Sequence, residues 1–116
     1  MLGIDPATQD TEPDRTPSPM TPQRVNNFDF FIRNDFTAIV NDTLTPADIA
    51  ALTDIRIVPV VGTTTSPGIF DYRCAQELAT LLGTELGTFP GGHNGNTTHP
   101  RAYAAALREA LRVIAR

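Results

Sequence analysis

Cysteine is almost missing from this chain: Cys74 stands alone. No internal disulfide can form, so nothing points to an oxidising compartment. Basic residues are outnumbered, 9 against 13 acidic ones for a net charge of -4, and no basic stripe or cluster occurs. Binding to a phosphate backbone is disfavoured on that balance, and no nucleic-acid partner is expected. There is no apolar run of the roughly 20 residues that a membrane span needs. The opening residues, MLGIDPATQDTEPD, lack both the basic and the apolar region of a secretory leader. The expectation is a cytoplasmic protein with no membrane partner.

What is present fits one domain of 116 residues, with 41% hydrophobic and 19% charged residues. Ten prolines and eight glycines imply a large irregular share, so a core must be concentrated in one half. Residues 1–20 are rich in Pro, Thr and Asp and read as a flexible arm. Residues 21–53 read as a helical, lid-like segment. Thr21 can cap, Pro22 suits the first helical position, and Val25, Phe28, Phe31, Ile32 and Phe36 recur at helical spacing, predicting one amphipathic helix with an aromatic face. Packing on a core is the plain role for those rings; a substrate-facing lid is the sharper one. A second short helix is predicted over 46–52, where Thr45 and Asp48 form a T-x-x-D capping pair.

Residues 54–116 carry the clearer pattern. Ile55–Val61 is a short apolar run ending at Gly62 and predicts a buried strand, with Pro59 as the misfit because it lacks a ladder donor. A helix follows over 71–82, with Asp71 as its cap, Ala75, Leu78, Ala79 and Leu82 on one face, and Gly83 as its stop. A second strand is predicted over 85–89, then a polar glycine-rich loop. A last helix begins near Pro100 with Tyr103, Leu107, Leu111 and Ile114 as its buried stripe. Strand, helix, strand, helix with short connections specifies a parallel βαβα unit of the α/β class, and both loops after the strands leave at one edge of the sheet. In open α/β sheets that edge is where ligands bind.

The second of those loops, P-G-G-H-N-G, presents His93. Small neighbours let the chain turn and let a ligand approach the ring, and histidine is the natural general base near neutral pH. A loop histidine bonded to nearby backbone is the plain alternative, and the strand-loop-helix setting favours the base.

The stretches VPVVG, YRCAQELATLLG, FPGGHNG and HPRAYAAALREALR resemble bacterial α/β-hydrolases, and MTPQRVNNFDFFIRND is similar to the helical segment that precedes the penultimate strand in some of them. The resemblance implies a partial α/β-hydrolase fold comprising the last two strands and final helix, with His93 as the catalytic histidine. It also implies hydrolysis of an ester or related acyl bond in a small-molecule substrate. The family's nucleophile sits on a G-x-S-x-G elbow, and no such motif occurs here: Ser18 and Ser66 both neighbour prolines. By resemblance the acid often lies shortly after Gly62, where this chain has Thr64 and Thr65. Asp71 is the nearest carboxylate, carried as a candidate acid beside its reading as a helix cap.

Other constellations point nowhere sharper. His93, His99 and Cys74 have no metal-ligand spacing, Cys74 suits small apolar packing, and His99 before Pro100 suits a helix entry. GGHNG lacks the Lys-Ser/Thr of a P-loop, so no cofactor or metal is expected. Two parallel strands leave both edges unpaired. The expectation is therefore a truncated hydrolase, inactive alone. The alternative is a non-catalytic interaction module that pairs through a strand edge with a second copy or another protein.

Overall fold

The computed structural model describes residues 10–17 and 19–114. They fall into two compact units, one of Thr16–Leu52 and one that joins the stretch up to Arg15 with Thr53–Arg116.

The helical unit contains α1 (Pro22–Arg33), α2 (Asp35–Val40) and α3 (Pro46–Ala50). Thr21 caps α1, its hydroxyl accepting from the Arg24 amide at 3.2 Å. The single helix expected through Phe36 is broken at Asn34. The Asn34 side-chain amide donates to the Phe30 carbonyl at 2.9 Å, the same oxygen that its own backbone N–H uses, and its φ and ψ of -113° and -67° lie off the helical values. Short polar side chains that bond to nearby backbone commonly interrupt helices in this way. The expected burial of the aromatic face is also corrected. Phe28, Phe31 and Phe36 are all exposed, with Phe31 meeting Phe28 and Phe36 at centroid distances of 6.2 and 6.4 Å.

At α3 the capping pair forms as read. The Asp48 amide donates to the Thr45 hydroxyl at 3.3 Å, and the Thr45 amide donates to the Asp48 carboxylate at 2.8 Å. The Thr45 hydroxyl, followed by its backbone N–H, holds the Asp48 carboxyl below its ordinary value of 3.8. A depressed carboxylate stabilises the fold above its unfolded value, and that contribution is lost as pH falls through the lowered one. Thr45→Ala should weaken α3 by about 1 kcal/mol, read as loss of helical backbone chemical shifts over 46–50.

The second unit runs β1 (Val60–Gly62), α4 (Phe70–Leu82), β2 (Gly87–Phe89), α5 (Gly95–Thr98) and α6 (Pro100–Ile114). It is a mixed helix and strand structure around a two-stranded parallel sheet, with Val60 opposite Gly87, Val61 opposite Thr88 and Gly62 opposite Phe89. The first strand is shorter than expected, because Pro59 can offer the ladder only its carbonyl, which accepts from the Gly87 amide at 2.9 Å. Ile55 and Val58, before it, are exposed.

Val61, Ala79 and Phe89 form the buried apolar core among the described residues, at 4–8% exposure. Tyr103 of α6 meets Phe89 edge-on, centroids 5.0 Å apart and planes at 83°. Farther along α6 the predicted stripe opens to solvent, with Leu107 and Leu111 exposed; the Ile114 side chain lies outside the described residues. The cause is the sheet's length, since three-residue strands offer no surface beyond α6's first two turns. α4 ends as read at Gly83, in the left-handed region at φ 62°. Cys74, expected to pack, is exposed on α4. Among the described residues no helix is long and apolar enough to cross a membrane.

Candidate active site

Parallel pairing sends the chain out of both strands at the same end of the sheet. After β1 it enters a threonine turn in which Thr63 N–H donates to the Phe89 carbonyl at 2.9 Å and Thr64 N–H donates to the Gly91 carbonyl at 3.1 Å. After β2 it enters the histidine loop. The two loops are thus stitched together just beyond the last strand pair, and this fixes the base of the loop that carries His93.

Gly91 makes the turn possible at φ 85°, a conformation that a side chain would strain. The expected open loop is partly helical, because Gly95–Thr98 forms the short α5. Its signal in the sequence was faint: Thr97 and Thr98 hydroxyls both reach back to the Asn94 carbonyl, at 2.8 and 3.4 Å, a local pattern that glycine and asparagine composition disguises.

His93 stands at the head of this turn, and its Nδ1 lies 3.7 Å from Oδ2 of Asp71. Asp71 reaches it because it occupies the first turn of α4. The cap of α4 is Ile69, with no side-chain hydrogen bond. That overturns the reading of Asp71 as the cap: helix α4 begins one residue earlier than expected, at Phe70, which moves Asp71 inside the helix and frees its carboxylate. The separation exceeds the 2.7–3.2 Å of a hydrogen bond. It is an ion-pair distance, and both side chains are 41% exposed, so solvent screens the attraction.

A cleft of about 210 Å³ opens beside the pair, lined by Gly62, Thr65, Asp71, Tyr72, His93 and Tyr103 among others. Thr65 Oγ1 is buried there with no hydrogen-bond partner. The sequence placed Thr65 near the acid's usual station but gave it no role, and Tyr72 was not singled out at all, because helical spacing does not distinguish it from its neighbours. The volume lies below the roughly 300–1,000 Å³ of ordinary ligand pockets.

The other sequence candidates do not join this site. His99 sits behind the loop, its Nδ1 2.9 Å from the Thr98 hydroxyl and its Nε2 3.6 Å from Asp10. Its carbonyl accepts from the Tyr103 amide at 2.8 Å, in keeping with a helix-entry role. Ser66 is in the β1 loop, where its hydroxyl accepts from the Gly68 amide at 3.3 Å. Among the described residues no three His, Cys, Asp or Glu side chains are grouped to hold a metal.

No family model matches the chain. It is 32% identical over 98 residues to a protein of Bacillus subtilis (strain 168) described as "Uncharacterized hydrolase YraK". That match takes in 79% of this chain and 35% of the relative, so the chain spans about a third of the length of the curated relative it matches. A match of that extent cannot be confined to Thr53–Arg116, and it reaches into the helical unit as well. The relationship is distant and partial, and it is to a hydrolase by name.

Proposed function

We propose that this chain supplies the acid-base half of an α/β-hydrolase active site acting on an ester or related acyl bond. The observation that carries the reading is the approach of Asp71, in the first turn of α4, to Nδ1 of His93, in the loop after β2, at 3.7 Å beyond a parallel strand pair. In the proposed step a hydroxyl nucleophile attacks the acyl carbon while His93 Nε2 takes its proton. The same nitrogen returns that proton to the departing alkoxide, and water repeats the sequence to release the acid. Asp71 orients the ring and stabilises the imidazolium.

The nucleophile must come from residues outside this sequence, which has no G-x-S-x-G and whose Ser66 lies in a hydrogen-bonded turn. Among the described residues a small cleft, two unpaired strand edges and an exposed aromatic face all suit a half-site that further residues complete. The hydrolase name of the partial relative supports the same reaction class.

The test is reassembly. The full chain is co-expressed with the part of the Bacillus hydrolase that it does not match, and hydrolysis of a small aryl ester is followed. The chain alone should show no turnover, and the co-purified pair should be active. Turnover by the chain alone, or an assembled but inert pair, would overturn the proposal. The second reading, a non-catalytic module, rests on those same strand edges and exposed rings; a stable homodimer that refuses the complementing part would favour it.

A further inference from the structure

The histidine loop is held from behind by a segment far away in sequence. Glu12 donates its backbone N–H to the Thr98 carbonyl at 2.8 Å, closing the end of α5. Its carboxylate then spans the start of α6, Oε1 accepting from the Ala102 amide at 2.7 Å and Oε2 from the Arg101 amide at 3.1 Å. These are N–H groups that a helix cannot satisfy internally, and α6 has no other acidic residue in its first turn. The Arg101 guanidinium folds back over the segment, donating to the Pro13 carbonyl at 2.6 Å and lying 3.5 Å from the Glu12 carboxylate. The Asp10 carboxylate lies 3.6 Å from His99 Nε2. The Glu12 side chain is left only 13% exposed.

Those anchor points touch the loop itself. A methyl group built on Gly91 would meet His99 Nδ1 at 2.7 Å and Thr98 Oγ1 at 2.9 Å. Gly91 is in turn bound to Thr64 and lies two residues before His93. The route from Glu12 to His93 therefore runs through Thr98 and His99, which crowd the open side of Gly91, and then along two residues of chain.

We propose that residues 10–15 form an intramolecular clamp on the histidine loop, with Glu12 as the positioning residue that sets the distance between His93 and Asp71. Loss of the Glu12 carboxylate frees the start of α6, lets α5 shift against Gly91, and moves the imidazole relative to its acid. The carboxyl is held below its ordinary value of 4.5, chiefly by the Ala102 N–H and further by Arg101, against the opposing effect of burial. A lowered value means that the clamp is complete above about pH 4.5 and loosens as pH falls through the lowered value. The charged group facing Glu12 is Arg101, while Asp10 and His99 meet each other nearby in the same segment.

The bearing of this clamp on catalysis rests on the proposed role of His93, whereas its test reads the loop without any turnover, so the two can fail separately. Hydrogen exchange and imidazole NMR are recorded on the full chain as wild type, Glu12→Gln and Arg101→Gln. In Glu12→Gln the Arg101 and Ala102 amides should exchange at least tenfold faster, and the His93 ring resonances should move from their wild-type positions. Arg101→Gln keeps the carboxylate on the α6 amides and should give the same changes in smaller measure. Faster exchange with an unmoved His93 would overturn the clamp. Unfolding of both variants would overturn it too, since Glu12 would then support the whole unit and not the loop.

Discussion

His93→Ala is expected to lower ester turnover of the reassembled hydrolase by about 10²–10⁴-fold, the usual worth of a positioned general base. Binding should change little, because the imidazole acts on a proton that moves only in the transition state; the fall is expected in kcat with KM nearly constant. Asp71→Asn should cost less. A buried triad aspartate can be worth about 10⁴, but Asp71 is 41% exposed and stands 3.7 Å from its partner, so water shares its work. An effect of about 10–100-fold is the expectation once that screening is allowed for. Equal rates for wild type and His93→Ala would remove the histidine from the mechanism altogether.

Gly95→Ala is expected to be among the most damaging small substitutions in the second unit. A methyl group there would collide with the Pro90 carbonyl oxygen, a backbone atom that cannot swing aside. Relief requires α5 to pull away from the end of β2, and that breaks the approach on which the histidine turn depends. Forced overpacking typically costs about 1–3 kcal/mol, and each kcal/mol lowers the midpoint of a small domain by about 4–8 °C. A fall of roughly 5–20 °C in the thermal midpoint, followed by circular dichroism, is therefore anticipated. Asn96→Ala next door is exposed and should stay within about 0.5 kcal/mol of wild type. If both behaved alike, the close packing of this turn would be refuted.

Much of the second unit could be read before its coordinates, for identifiable reasons. β1 announced itself through a short apolar run, Gly83 through the left-handed stop it supplies, and His93 through its place after a strand. The strands' true lengths were hidden: Pro59 halts the ladder from one side, and which residues pair depends on a partner strand that local pattern does not show. Asp71 was the instructive case. Helix propensity blurs the first residue of a helix by one or two positions, and that uncertainty decided whether its carboxylate capped α4 or faced an imidazole. The reach of Glu12 across to α6 had no sequence signature, because its partners are backbone amides about ninety residues away. In the helical unit the capping box at Thr45 and Asp48 was legible because all its parts lie within four residues, whereas the fate of the phenylalanines depended on what covers them.

The co-directional run of β1 and β2 has a thermodynamic corollary. Any further ribbon that joined either border in the same sense would also finish at the rim that carries His93, so docking and completion of the proposed site would be one event. A transition-state mimic that binds only the finished site should then act as molecular glue, tightening the union of the two polypeptides by the free energy of its own capture.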